Sequence, residues 1–423
     1  MFGFVLRKPA AGVPGPTAAH YGLSLSACAA QAVAGVTGTD RPRVTPLGTG
    51  SDELPLTVRL DARPVEVGAV GLNRKAPHLL CANYLPQLGH ARQWRAARGT
   101  AVTPEAAVGA TFDAIHAKLI GAEAVGLTLP AYLTPAQVKT ALALAAKAKL
   151  PVRGSAATAL AIAAHRAASL LADDAPPGLD RDGSRPDWVV PLRPPAGGPA
   201  AVVVIDCDDY ALTASVVGVD PAAVQLVSQT AWPKASLKLW ADRLIDALSD
   251  RCVRLCRRDP RDSADAEQFL YDQFDAALDR ARAGQAVTLT VRSEHWFQDL
   301  VHQPGELDGH CVALADLSTA GIAEAVRAAR LPVPPRAVWL THTAARLPGL
   351  VAALRRGSPE QTEVIALPPF AASEATAALV PRWLAGRLPR AHADAALSND
   401  ELGITNDESK LKARRRPGPS FQM

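Results

Sequence analysis

The residues able to do chemistry concentrate at the end of one apolar run. Ala201-Val202-Val203-Val204-Ile205 leads into Asp206, and the chain then passes through Cys207-Asp208-Asp209-Tyr210. A carboxylate at the tip of a buried parallel strand is placed to hold magnesium, and a glycine turn beside it would offer backbone N–H groups to phosphate oxygens. Here the carboxylate stands and the glycines do not. Glycines in such turns reach positive φ and leave no Cβ between backbone and phosphate, whereas aspartates bring bulk and charge. Two unit charges about 4 Å apart repel by about 4 kcal/mol at an effective dielectric near 20. The plainer expectation for Asp206, Asp208 and Asp209 is a solvated turn after a strand.

Other reactive residue types are scattered. His342 sits in Thr341-His342-Thr343, behind the short strand pattern of Ala337 to Leu340. A lone histidine in a strand-to-helix turn reads as a hydrogen-bonded structural residue sooner than as a phosphate-binding cation. Cys252 and Cys256 are four apart on a helical pattern, but no second His or Cys pair completes a metal site, so they read as helix-face cysteines. The six cysteines form no CxxC pair and no secretory leader precedes them, which leads to an expectation of a reducing cytoplasm. Arg251, Arg254 and Arg258 lie on the outer face of a helix and read as solvated.

The chain has 423 residues, 48% of them hydrophobic, which is enough for two domains with cores of their own. Its formal net charge of +4 owes much to one terminal run, Lys410, Lys412 and Arg414 to Arg416. The folded body is then near neutral, and a nucleic-acid partner is not expected. No stretch approaches the roughly twenty apolar residues that span a bilayer, so no membrane partner is expected either.

Period and punctuation give the elements that would carry these residues. Tyr21 to Ser26 and Ala29 to Val36 read as a hairpin, and Thr103-Pro104-Glu105 starts a helix whose Val108, Phe112, Ile115 and Leu119 share a face. A strand over Ala124 to Leu129 follows. Thr134-Pro135-Ala136-Gln137 has capping-box spacing and leads a helix to about Lys149, with another from about Ala157 to Leu171. From Asp173 to Pro199 seven prolines mark a linker. Beyond it come the strand to Asp206, a return strand Leu212 to Val217, and a long helix through Leu237, Trp240, Leu244, Leu248, Cys252 and Leu255. Helices over Gln268 to Arg282, over Gly321 to Leu331 and from about Leu347, and a strand over Val287 to Val291, complete the pattern. The organisation expected is a leader (1–17), a first lobe (18–172), the linker (173–199), a second lobe (200–390) and a polar, basic-ended disordered tail (391–423). Both halves run hairpin, helix, strand in one order, which predicts a duplicated α/β fold around a cleft.

On these landmarks the chain resembles the ATPase portion of the seventy-kilodalton heat-shock chaperones, the DnaK type. Leu129-Pro130-Ala131-Tyr132-Leu133-Thr134-Pro135-Ala136-Gln137 looks like the family's V-P-A-Y-F-x-x-x-Q, and Thr103-Pro104-Glu105 stands where the family has T-P-E-E. Ala157-Thr158-Ala159-Leu160-Ala161 resembles the P-T-A-A-A of its connector. Val338 to Pro348 resembles its adenosine motif V-x-L-V-G-G-S-T-R-I-P, with Arg346-Leu347-Pro348 retained. The likeness runs in one order over roughly residues 18 to 390. It implies the two-lobed actin-like, ribonuclease H-like ATPase fold, with ATP or ADP and magnesium in the cleft. Gly22, Ser24, Ser26, Asp206, Asp208, Thr341, His342, Thr343 and Arg346 match positions around that nucleotide, and Asp206 the position near magnesium.

The departures fall on the chemistry. The family's G-I-D-L-G-T-T corresponds to Gly22 to Cys28, without its aspartate, second glycine or threonines, and its D-L-G-G-G-T-F-D to Asp206 to Thr213, with no glycine. The connector glutamate corresponds to Ala156, the adenosine glycines to His342 and Thr343, and the catalytic lysine to about Tyr84 and Leu85. Arg280 and Arg282 are approximate stand-ins on the helix that clamps adenine. The resemblance therefore implies a degenerate pseudo-ATPase with little or no hydrolysis, without a substrate-binding domain, acting through a protein partner. One alternative is an ATP-binding chaperone component with weak ATPase activity. Another takes Asp206 and Asp208 as the nucleophile and acid/base of a haloacid-dehalogenase-like phosphohydrolase, although Tyr210 replaces that pattern's Thr or Val.

Overall fold

A computed structural model describes residues 20–35, 42–62, 65–95, 101–171, 200–220, 223–332, 334–388, 392–393 and 396–398. The expected leader and linker lie outside the described residues. Strands β1 (His20–Leu25), β2 (Ala29–Gly35) and β3 (Arg43–Thr45) form an antiparallel meander, and β4 (Ala124–Leu129) and β5 (Val152–Ala157) add to β1 in parallel. The second large sheet repeats this order. There β6 (Ala200–Cys207), β7 (Leu212–Val219) and β8 (Ala223–Trp232) form the meander, while β11 (Ala337–Leu340) and β12 (Glu363–Ala366) follow β6 in parallel. Between them stands a separate hairpin of β9 (Val287–Arg292) and β10 (Phe297–His302). The chain is thus a mixed α/β protein in which β1 and β6 hold equivalent places. Both central strands are buried on each face, which is why β6 reads as an unbroken valine-rich run.

Local chemistry sets the helix starts. In α1 (Pro104–Lys118) the Thr103 hydroxyl accepts from Ala106 N at 3.2 Å, and proline occupies the first helical position. In α2 (Pro135–Lys147) the capping box closes: Thr134 Oγ1 accepts from Gln137 N at 3.3 Å, and Gln137 Oε1 accepts from Thr134 N at 2.9 Å. The Gln137 amide also donates to Pro86 O at 2.8 Å. The segment predicted as one helix over Gln268 to Arg282 is two, α5 (Ala264–Tyr271) and α6 (Phe274–Arg282), following α4 (Leu237–Cys256). The break frees Gln273 to donate to Thr290 O and accept from Thr290 N in β9. Helix α7 (Glu306–Ala328) begins well before the predicted Gly321, because Gly305 takes φ 82 and Glu306 Oε2 accepts from Gln303 N. A further helix, α8 (Leu350–Gly357), follows the Arg346-Leu347-Pro348 turn.

Two helices cross between the sheets. Helix α3 (Thr158–Leu171) follows the first sheet and packs on β6, β7 and β8 of the second. Helix α9 (Ala371–Leu384), which no sequence pattern announced, follows the second sheet and packs on β1, β2, β4 and β5 of the first. A glycine row makes room for it. Gly22, Gly126 and Gly154 are register partners on three adjacent strands. A Cβ at Gly22 would lie 2.1 Å from Ser373 O, and one at Gly154 would lie 2.2 Å from Trp383 Nε1. The three share one cause, close approach of α9 and Trp383 to the sheet.

The region expected as a disordered tail from 391 begins with two short strands. His392–Ala393 pairs with β5 and Ala396–Ser398 with β8, so each large sheet has one edge covered. His392 Nδ1 lies 2.9 Å from Ser155 Oγ. Residues beyond 398 lie outside the described residues. None of the described helices is long and apolar enough to cross a membrane.

Candidate functional site

The equivalent places of β1 and β6 bring the turns at their ends face to face. In the first turn Ser26 closes on itself: its Oγ accepts from Ala29 N at 3.0 Å and donates to Ala29 O at 3.1 Å. That leaves the Ala27 N–H pointing across, where it donates to Asp208 Oδ2 at 2.8 Å. The second turn is built around the same carboxylate. Asp208 Oδ1 accepts from Tyr210 N at 2.9 Å and Ala211 N at 3.0 Å, and Oδ2 also accepts from Tyr132 Oη at 2.7 Å. These four donors take up the accepting capacity of the group. Tyr210 packs on Tyr132 with ring centroids 4.9 Å apart. At 2% exposure Asp208 is not the solvated turn residue expected of it.

Asp206 and Asp209 sit differently. Asp206 Oδ1 accepts from Thr341 Oγ1 at 2.7 Å and from Cys207 N at 2.9 Å. Burial, then the charge of Asp208, pushes its carboxyl up to about 6. Burial and the same neighbour carry half-buried Asp209 to about 6, with Lys238 and Arg74 opposing. Asp208 is raised by burial while its four hydrogen bonds hold it down.

A cavity of about 80 Å³ opens beside Asp206. Its walls bring together Ser24, Ser26, Asp206, Thr341, His342, Thr343 and Arg346. Two of the expected site residues are elsewhere: Gly22 lies under α9, and Asp208 is taken up between the turns. Tyr84 and Leu85, at the position of the expected lysine, are core residues, with Tyr84 Oη 2.6 Å from Thr111 Oγ1. Ala156 is buried as well. His342 is the hydrogen-bonded residue expected. Arg282 Nη1 donates to its Nδ1 at 2.9 Å, and its Nε2 faces Asp279 Oδ1 at 3.3 Å. Burial, more than the charges around it, holds His342 below its usual range. Arg346 is engaged by Asp275 at 2.8 Å, so its charge is already paired.

The phosphates of a magnesium nucleotide do not fit between these two turns. The cavity at Asp206, of about 80 Å³, holds only a few waters, and a wider opening of about 560 Å³ adjoins it at His342 and Arg346, with Asp275 and Asp279 in its wall. The first-turn N–H that would meet a phosphate oxygen meets Asp208 instead. Among the described residues, no group of three or more His, Cys, Asp or Glu is placed to hold a metal ion.

A second fastening lies at the rim and had no signal in the sequence. The backbone N–H groups of Arg74 and Lys75 both donate to Gln268 Oε1, at 2.6 and 3.1 Å, across 194 and 193 positions of chain. Arg74 Nη2 pairs with Asp242 at 2.6 Å, and its guanidinium lies 4.8 Å from the centre of the Tyr271 ring. Gln268 is 4% exposed, which makes this a buried contact between the halves. Tyr132 was visible in sequence only as part of Leu129-Pro130-Ala131-Tyr132, with no role attached. Compared with known proteins, the chain matches no family model and no curated sequence.

Proposed function

We propose that the chain is a duplicated actin-like α/β protein related to the heat-shock chaperone ATPase domain, in which nucleotide handling has given way to a fixed closed form that serves protein interaction. The strand order common to the two large sheets supports the duplication. The meeting of the turns after Leu25, Ile205 and Leu340 around one cavity supports the relation. The observation that carries the loss of function is the hydrogen bond from Ala27 N to Asp208 Oδ2. A carboxylate of the protein stands where a phosphate would accept, and no entropy is lost in recruiting it. Phosphoryl transfer depends on positioning and charge stabilisation, and the lysine and glutamate positions hold Tyr84 to Leu85 and Ala156. The phosphohydrolase alternative draws no support, since Asp208 has both oxygens occupied and is 2% exposed.

Calorimetric titration with ATP and ADP, with and without magnesium, tests the reading. No saturable heat at millimolar nucleotide and hydrolysis at background rate are expected. Micromolar affinity or magnesium-dependent turnover lost in Asp206→Ala would overturn it.

A further inference from the structure

Cys252 and Cys256 take no part in the contact between the turns, yet the fold brings their sulfurs together. They stand one turn apart on α4, with the two Sγ atoms 3.5 Å from each other. The Cys256 thiol donates to Cys252 O at 3.3 Å, which holds its side chain back over the preceding turn. Their exposure differs. Cys252 is fully buried in the core of the second half, whereas Cys256 reaches the surface in part. An oxidant in solvent therefore meets one sulfur, and that sulfur has a second already beside it.

A disulfide needs Cα atoms usually about 4.4–6.8 Å apart and Cβ atoms about 3.5–4.5 Å apart. Residues i and i+4 of a helix meet the first condition at about 6 Å, but their Cβ atoms stand about 5–6 Å apart, so the turn between them must tighten. Within a helix that would break the ladder. Cys256 is instead the last residue of α4, and Arg257 beyond it has already left the helix with φ 59. The strain falls on one terminal turn, and a strained disulfide is easily reduced again. The attacking form of a cysteine is its thiolate. Burial, then the neighbouring Cys256, pushes the Cys252 thiol up to about 12, which leaves Cys256 to attack first. Cys28 is the other partly exposed cysteine, and burial, then the charges of Asp209 and Asp208, holds its thiol well above the ordinary range. Cys81, Cys207 and Cys311 are buried.

We propose that Cys252 and Cys256 are a peroxide-sensitive dithiol that closes reversibly to a disulfide at the end of α4. The Cys256 thiolate attacks one oxygen of hydrogen peroxide; the O–O bond breaks, the sulfur becomes a sulfenic acid, and the other oxygen leaves as hydroxide to take the thiol's proton as water. The Cys252 sulfur then attacks Cys256 Sγ. An S–S bond forms, the S–O bond breaks, and the hydroxyl leaves with the Cys252 proton as a second water, so two thiols lose two electrons to one peroxide. The bridge acts where α4 meets its neighbours. Arg251, beside Cys252, holds Val301 O at 2.8 Å and Glu306 at 3.3 Å, and Arg254 and Leu255 of the bridged turn line a groove of about 410 Å³. This site does not depend on the protein-interaction reading.

The test treats the folded full chain with hydrogen peroxide, blocks the remaining thiols with iodoacetamide and digests the protein with trypsin under non-reducing conditions. Cleavage after Arg251, Arg254 and Arg257 puts Cys252 in residues 252–254 and Cys256 in residues 255–257, so the two peptides travel together only when bridged. Linked peptides that dithiothreitol separates are expected, forming at least about tenfold faster than any oxidation of Cys28. Cys252→Ser should stop at a Cys256 sulfenic acid that dimedone captures, and Cys256→Ser should leave Cys252 unmodified over the same time. Absence of the linked peptides, their appearance only in urea, or oxidation of Cys28 ahead of Cys256 would overturn the proposal. So would a Cys252→Ser protein that gives no dimedone adduct at Cys256.

Discussion

The turns at the ends of β1 and β6 occupy equivalent places in equivalent sheets, yet their chemistry is opposite. The first, Ser26 to Cys28, is neutral and closes through the Ser26 hydroxyl, leaving one backbone donor over. The second, Asp206 to Tyr210, is a cluster of carboxylates, one of which takes that donor. Two turns that both presented donors would need an anion between them. Turns of opposite polarity need none, and here they hold each other. Symmetry of the fold makes the turns meet, and the side chains decide whether a ligand can come between.

Within the second turn a further contrast sharpens the point. Asp208 uses both oxygens to accept from four donors. Asp206 uses Oδ1 alone, for Thr341 and Cys207. An asparagine can replace Asp206 without losing a bond, but at position 208 its amide must face donors.

Asp208→Asn should accordingly have the largest effect, a loss of about 3–5 kcal/mol in urea unfolding, because buried donors are left without an acceptor. A loss below about 1 kcal/mol would mean that the carboxylate does not brace the turns. Replacing Asp208, Asp209 and Tyr210 together by glycine, which charge alone would recommend for admitting ATP, should destabilise the protein at least as much.

Asp206→Asn should act in the opposite direction. Its carboxyl is raised from 3.8 to about 6, so ionisation is disfavoured in the folded chain. The stability this group contributes is present in full below about pH 4 and is lost as pH rises through about 6. The variant should match the parent near pH 4 and exceed it by about 2–3 kcal/mol at pH 8. A gap that is constant with pH would show that Asp206 is not the titrating group.

Smaller effects should separate the donors. Tyr132→Phe removes one hydrogen bond to a buried carboxylate and should cost about 1.5–2 kcal/mol. Thr341→Val, which removes one of two donors to Asp206 Oδ1, should cost about 1 kcal/mol and shift the pH-dependent loss to higher pH. If the order of the two were reversed, Asp206 and not Asp208 would be the centre of the contact.

Much of this was readable in sequence where one residue type has one physical use. Thr103 and Thr134 announced helix starts because their hydroxyls have backbone donors within reach, and the valine run to Asp206 announced a buried strand. Other features required tertiary partners. Helix α9 shows no clear face because it is enclosed between the sheets, and its buried Ser373 and Thr376 are satisfied by Gln31 O and Thr128 Oγ1 in the other half. Gly22 read as a phosphate-loop glycine, since sequence cannot tell space kept for a phosphate from space kept for Ser373 and Ala377. The strands β5, β8 and β10 were missed, and Gln268 looked like any helix glutamine until Arg74 and Lys75 met it.

The contact between the turns rests on one amide, and hydrogen exchange at Ala27, read by NMR at neutral pH, tests it most directly. Protection should approach that of the β1 and β6 core amides, and in Asp208→Asn it should fall by at least about a hundredfold relative to those same amides. Exchange of the Ala27 amide in the parent protein at the rate of an exposed loop would contradict the account, because the two turns would then not be holding one another at all.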